Sequence, residues 1–292
     1  MLQTLNNSLA TSYILISLVT LIGLLVGRFL NVVIYHLPLM MQRNWRKECI
    51  DYLQIEVDET ECSKPFNIAL PLSSCSQCNT AIKLHQNIPI ISYIFLKGRC
   101  ASCNKSIAIR YPLIEALTAI SSAIVAYHFG DTTQTLFALL LTWSLIALSF
   151  IDLDHQLLPD NITLPLLWLG LFLSLFEIYT SSQASIIGAI GGYGILWTVY
   201  QTLKLATGKE GMGYGDFKLQ AALGAWLGWQ YLAVIILLSS MVGAIISIIL
   251  IVFTKQHRNT PIPFGPYLAS AGWIALLWGN DLNQLYLNYA GL

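Results

Sequence analysis

The sequence predicts an all-α polytopic membrane protein with about eight transmembrane helices and a small zinc-knuckle loop domain on the cytoplasmic side. Three observations carry that expectation. Of 292 residues, 55% are apolar and only 10% are charged, where a soluble domain has about 25% charged; mean hydropathy is +0.63. The apolar residues gather in long runs broken by short polar turns, as helices that satisfy their own backbone in a bilayer require. Four of the six cysteines form two Cys-x-x-Cys pairs. The formal net charge is zero, so nothing in the overall charge argues for nucleic acid as a partner.

The first apolar run covers residues 12–34, long enough for a hydrocarbon core that needs about 20 helical residues. Residues 1–27 contain no Lys or Arg, so the basic start of a cleavable signal is missing and a retained membrane helix is expected. Seven further spans are expected at 112–129, 135–151, 162–178, 185–205, 217–227, 231–253 and 266–279. The sixth and eighth are short, and tilt, extension at the ends or partial re-entry would accommodate them. This divides the chain into a first membrane helix (1–36), a loop domain (37–111) and a multi-helix membrane domain (112–292). Residues 48–61 are acidic and fit either a surface helix or a solvated loop. Gly23-x-x-x-Gly27 and Gly188-x-x-x-Gly192 are expected to serve close helix packing.

Charge sets the orientation. With eight spans and the N-terminus outside, the inside segments are 35–111 and the turns near 152–161, 206–216 and 254–265. Ten of the fifteen Lys and Arg lie between Arg28 and Arg110, and the rest are Lys204, Lys209, Lys218, Lys255 and Arg258. Each falls in or beside an inside segment, while the opposite turns carry none. Such asymmetry marks the cytoplasmic face.

Cys75-x-x-Cys78 and Cys100-x-x-Cys103 are separated by 21 residues. Each pair supplies two corners of a tetrahedron, so together they close a four-cysteine zinc site with no open position for water. Such a zinc is structural, and a small loop domain folds around it. Disulfides are the competing use, disfavoured on a reducing cytoplasmic side. Cys49 and Cys62 have no matching pattern and are expected to be ordinary thiols.

Two acids stand where apolar runs meet polar turns. Asp152 lies in Ile151-Asp152-Leu153-Asp154-His155-Gln156-Leu157-Leu158-Pro159-Asp160, and Asp216 closes Gly211-Met212-Gly213-Tyr214-Gly215-Asp216. A carboxylate at a membrane edge is costly unless paired, hydrated or used. Two of them sharing a proton provide a base that takes a proton from water and an acid that hydrogen-bonds a substrate carbonyl. The glycines of the second motif are expected to open backbone conformations that bring Asp216 against another helix end. A cap on the following helix is its bland alternative. In the first motif, closeness to the apolar run ranks Asp152 ahead of Asp154 and Asp160 without excluding them. Asp160 also suits a helix start, and His155 a hydrated interface. Glu115 is expected to pair with Arg110, Arg28 to reach lipid phosphate, Glu177 to be solvated, and Pro261-Ile262-Pro263-Phe264-Gly265-Pro266 to end one helix and start the next.

Six stretches carry a resemblance. They are Gly27 to Ile34, the two Cys-x-x-Cys knuckles, Ile151 to Asp160, Gly208 to Lys218, and Pro261 to Tyr267. On these the chain resembles the bacterial type IV prepilin peptidases, bifunctional leader peptidase/N-methyltransferases of the inner membrane. The resemblance implies that Asp152 and Asp216 are the catalytic aspartates and that Cys75, Cys78, Cys100 and Cys103 bind zinc. It implies removal of a short basic leader from prepilin and pseudopilin precursors, commonly between Gly and Phe, followed by methylation of the new amino group from S-adenosylmethionine. No Gly-x-Gly-x-x-Gly follows a strand, so a site for that co-substrate must be built differently. The cysteine loop is the candidate, with Gly98 beside Cys100 as the contact position. A transporter with a carboxylate proton relay is the rival class, but it places acids at the bilayer midplane rather than the inner edge.

Overall fold

The computed structural model describes residues 2–54, 78, 89–208, 212–254 and 263–290. Among them the regular structure is helical, with no strand beyond an isolated Arg99–Ser106 bridge. The helices are α1 (Leu2–Leu53), α2 (Ile91–Phe95), α3 (Arg110–Phe129), α4 (Thr133–His155), α5 (Asp160–Ser174), α6 (Ser182–Thr207), α7 (Tyr214–Leu227), α8 (Leu232–Thr254) and α9 (Gly265–Ala290). Each of the eight expected spans coincides with one of the longer helices. Five segments are long and apolar enough to cross a membrane: Tyr13–Leu53, Arg110–Phe129, Thr133–His155, Ser182–Thr207 and Trp229–Ile249. The others fall short for different reasons. α5 and α7 have 15 and 14 residues, or about 21–23 Å at 1.5 Å per residue. α9 kinks at Trp278 and turns polar from Asn280 onward.

The chain divides into two compact units, Met1–Gly130 and Asp131–Leu292. In the first unit α1 packs along α3. A Cβ on Gly23 would lie 2.7 Å from Ser122 Oγ, and one on Gly27 would lie 2.8 Å from Glu115 Cα. The small residues therefore serve packing, as expected. The hydroxyls at this interface are turned inward on their own helix, Thr118 to Ile114 O at 2.7 Å and Ser122 to Thr118 O at 2.6 Å. α1 continues to Leu53, beyond the 1–36 segment expected for the first membrane helix, and so takes in Glu48 and Asp51 of the acidic stretch. Residues 55–61 of that stretch lie outside the described residues.

Glu115 differs from its expected partnership. Its carboxylate accepts the Ile90 N–H at 2.8 Å, and the cation whose charge acts on it is Arg28 on α1, not Arg110. The fold favours Arg28 because Gly27, beside it in the chain, lets α1 approach α3 at this level.

In the second unit α7 is the central helix. Asp216, Phe217 and every residue from Leu219 to Leu227 are buried. It packs on α6, α5 and α9, so protein rather than lipid surrounds it and a 14-residue length is tolerated. Backbones approach closely to achieve this. A Cβ on Gly188 would meet Gly224 O and one on Gly192 would lie 2.6 Å from Gln220 O, again a packing role. Ser185 Oγ donates to Ala225 O at 2.6 Å, and Trp226 Nε1 to Leu166 O at 2.8 Å. α9 lies against α4, with Trp273 Nε1 donating to Thr142 Oγ1 at 3.1 Å.

Candidate active site

Asp152 stands in the last turn of α4. The helix ends because Gln156 adopts a left-handed conformation (φ 51°, ψ 43°) and returns its N–H to Asp152 O at 2.9 Å. A carboxylate at a helix C-terminus meets the negative end of its own dipole, yet Asp152 is only 5% exposed. The compensation comes from α9. The Gly265 N–H, free because it opens that helix, donates to Asp152 Oδ2 at 2.9 Å.

Asp216 occupies the third position of α7, where an acid faces the positive end of the dipole. Its carboxylate accepts a hydrogen bond from the Gly213 backbone at the helix cap, and its own N–H returns to Gly213 O at 3.2 Å. That is half of a capping box. The capping alternative is thus part of the structure. The position is also 7% exposed, and α7 is not one of the five long apolar segments. Burial first, then the negative charge of Asp152, pushes the Asp216 carboxyl up to about 7. The charge of Asp152 therefore reaches the Asp216 carboxyl.

Leu158 joins the two helix starts. A Cβ on Gly215 would lie 2.7 Å from Leu158 Cβ, and one on Gly265 would lie 3.2 Å from Leu158 Cδ2. The leucine thus fills the space left by both glycines and wedges the starts of α7 and α9 beside the end of α4. The glycines of the Asp216 motif work differently from expectation. Gly213 has φ −81° and ψ 150°, open to any residue, and a Cβ there would meet nothing closer than 3.7 Å. Gly215 is needed for space, not for backbone freedom. Gly211 lies outside the described residues.

The competing acids are elsewhere. Asp154 and His155 are exposed on α4. Asp160, in the first turn of α5, binds Lys218 Nζ through both carboxylate oxygens at 2.7 Å, an exposed pair. Two contributors were not legible beforehand. The Pro261–Pro266 pattern predicts only a helix-starting turn for Gly265, although a glycine directly before proline at a helix start offers an unhindered N–H. Leu158 was an apolar residue in a polar turn, which is the signal it carried.

In the first unit the thiols of Cys78, Cys100 and Cys103 lie within 4.8 Å of one another. Zinc–sulfur bonds of about 2.3 Å hold ligand sulfurs about 3.8 Å apart, so this donor set fits a tetrahedral site after a small contraction. Cys75 and Cys62 lie outside the described residues. Cys49 is an exposed thiol on α1, apart from the cluster. The Cys100 knuckle is a tight turn: Cys100 N–H donates to Lys105 O at 2.9 Å and Asn104 N–H to Cys100 O at 3.0 Å. Gly98 precedes it with φ +68°, and its carbonyl accepts Ile107 N–H at 2.7 Å. The left-handed backbone and the Tyr93 hydroxyl, 2.9 Å from where a Cβ would be, account for glycine there.

Comparison with known proteins agrees with this architecture. Residues 21–129 match the bacterial peptidase A24 N-terminal domain, and residues 139–248 match the type IV leader peptidase family. The chain is 54% identical over 271 residues to a prepilin leader peptidase/N-methyltransferase of Pseudomonas aeruginosa, covering 93% of both. It is 51% identical over 287 residues to one of Stutzerimonas stutzeri, covering 98% of this chain and 97% of that protein. One of Legionella pneumophila is 45% identical over 271 residues. No solved structure matches the chain. The chain is a membrane protein that belongs to the type IV leader peptidase family.

Proposed function

We propose that this chain is a membrane aspartic endopeptidase that removes the short basic leader of type IV prepilins and pseudopilins, then methylates the new amino group from S-adenosylmethionine. Asp152 and Asp216 are the catalytic pair. The observation that supports this is the burial of two carboxylates, 5% and 7% exposed, one where the end of α4 receives the start of α9 and one at the start of α7, with the charge of the first acting on the second.

The pair hydrolyses the bond while sharing one proton. The ionised carboxylate takes a proton from water as the water oxygen attacks the peptide carbonyl. The protonated carboxyl gives its proton to the carbonyl oxygen, forming a tetrahedral diol. Collapse of the diol breaks the C–N bond: the proton taken from water passes to the leaving amine, and a diol hydroxyl returns a proton to the carboxylate that gave one, so the new carboxyl forms and the pair again shares one proton. That amine becomes the N-terminus of the mature chain. Gly265 N–H fixes one oxygen of Asp152 and leaves the other for proton transfer, so this member of the pair is oriented before substrate arrives.

Cys78, Cys100 and Cys103, with Cys75, would hold a structural zinc that folds the loop. Methyl transfer is assigned to the same loop, with Gly98 as the contact position. We place the site at the cytoplasmic face of a bacterial inner membrane crossed by eight helices, supported by the one-sided distribution of Lys and Arg and by the match of each expected span to a helix. The lipid bilayer is then a partner and nucleic acid is not.

The test is cleavage of a prepilin by the purified enzyme in proteoliposomes. Asp152→Asn and Asp216→Asn each abolish cleavage while expression and zinc content stay at wild-type levels. Full activity in either variant refutes the assignment.

A further inference from the structure

Gln220 carries a polar side chain in the most enclosed helix of the second unit. It is 0% exposed, and among the described residues neither its Oε1 nor its Nε2 has a hydrogen-bond partner. The buried hydroxyls of the same unit are satisfied: Thr163 donates to Pro159 O at 3.2 Å, Ser185 to Ala225 O at 2.6 Å and Ser239 to Ile236 O at 3.1 Å. A buried amide without a protein partner is costly to a fold, and such a group calls for a water, an ion or a functional use.

Register places Gln220 beneath the candidate dyad. Asp216, Gln220 and Leu223 stand at i, i+4 and i+7 and share one face of α7. Both ends of that stripe meet α9. At the first end Leu158 packs against the positions of both Gly215 and Gly265, and the Gly265 N–H holds Asp152. At the other, a Cβ on Gly272 would lie 2.5 Å from Leu223 Cδ2. Gly265 and Gly272 are also seven apart, so α7 and α9 run parallel and in step, with Gln220 between the two contacts. The α9 residues at that level, Leu268 and Ala269, are buried and apolar. On α6 the neighbour is Gly192, which has no side chain to offer.

Residues four apart on a helix hold their Cβ atoms about 5–6 Å apart, and a long side chain leans toward the preceding turn. The Gln220 amide therefore leans toward Asp216. The Asp216 carboxyl takes a hydrogen bond from Gly213 on its far side and has acceptor positions left over. A hard cation needs about six oxygen ligands, which these apolar walls do not supply. A buried water needs only two to four polar partners. The amide donor, the amide acceptor and the carboxyl provide three.

We propose that Gln220 is a positioning residue for Asp216, its amide holding one buried water that hydrogen-bonds the carboxyl from one turn below, opposite the Gly213 cap. The proposal rests on the reading of Asp216 as a catalytic carboxyl. Each acid of the pair is then fixed by a group of its own before substrate arrives, Asp152 by Gly265 and Asp216 by Gln220 through water.

The experiment uses full-length enzyme in proteoliposomes and Gln220→Met, which keeps the length of the side chain and removes the amide. The expected result is a fall in kcat of about three- to tenfold, the range one hydrogen bond supports, with KM within about twofold and melting no lower than wild type. Infrared spectroscopy near pH 5 supplies a second readout. The carbonyl stretch of the protonated Asp216 carboxyl, identified by its loss in Asp216→Asn, moves to higher frequency in Gln220→Met as a hydrogen bond is removed. Gln220→Leu keeps the test available should the methionine variant not accumulate. A folded variant with kcat within twofold of wild type, or with the band unmoved, overturns the assignment and leaves Gln220 as a packing residue. If Asp216→Asn itself retains cleavage, the leader-peptidase reading falls, and the band alone decides whether the amide reaches Asp216.

Discussion

Gly265→Ala is the smallest change that reaches Asp152 without touching its chemistry. The added Cβ would stand 2.7 Å from Asp152 Oδ2, 3.1 Å from its Cγ and 3.2 Å from Leu158 Cδ2. Ordinary contact requires about 3.4 Å or more, so the carboxylate must retreat by more than half an ångström, straining its 2.9 Å bond to the Gly265 N–H. A hydrogen bond to a charged group is worth about 1.5–3 kcal/mol. At 1.36 kcal/mol per tenfold in rate, its loss corresponds to about 10- to 150-fold in kcat. Misplacement of a reacting group by about 1 Å costs a similar factor. The assay is steady-state cleavage of a reconstituted prepilin, with thermal melting as the control for folding. The expected result is a fall in kcat of at least tenfold with KM changed less than threefold and melting within a few degrees. A folded Gly265→Ala enzyme whose kcat stays within threefold of wild type would refute the claim that Gly265 positions Asp152 for proton transfer.

Three other outcomes follow from the same geometry. The Asp216 carboxyl, raised to about 7 by burial and by Asp152, binds a proton more tightly folded than unfolded. Its ionisation therefore removes stability as pH rises from about 4 to about 7, so Asp216→Asn should gain thermal stability over wild type at pH 8 relative to pH 5. Failure of that difference to grow with pH contradicts the raised value. Asp160→Asn should retain cleavage within about threefold and lose less than about 1 kcal/mol, since its pair with Lys218 is exposed; loss of activity would return Asp160 to the list of catalytic candidates. Cys100→Ser should lower bound zinc from one per chain toward zero and make the loop sensitive to protease, and unchanged metal content would contradict the zinc assignment.

Much of this arrangement was legible in the sequence because membrane proteins expose their rules there. Uninterrupted apolar length located the eight longer helices, and the price of an unpaired acid at a membrane edge ranked Asp152 and Asp216. Closeness to the apolar run separated Asp152, which is buried, from Asp154 and Asp160, which are exposed. Contacts between distant segments were not legible. Gly265 supports Asp152 across 113 positions of sequence, and nothing in a Pro-Phe-Gly-Pro turn says which helix end it will meet. Leu158 touches two glycines from two other helices, a relation no local pattern records. The motif glycines were misread for the same reason. Gly215 is small because Leu158 needs its space, and only the packed structure distinguishes that from a demand on φ. Proximity in sequence points Glu115 to Arg110, whereas the α1–α3 crossing supplies Arg28.

The claim that Asp152 and Asp216 act as one unit is tested most directly by a double-mutant comparison of cleavage rates in proteoliposomes. Residues that act together are grossly non-additive. Asp152→Asn, Asp216→Asn and the double variant should therefore all fall to the same floor, at least about 10³-fold below wild type and within threefold of one another. Single losses that multiply in the double variant would show two independent carboxylates and contradict the dyad.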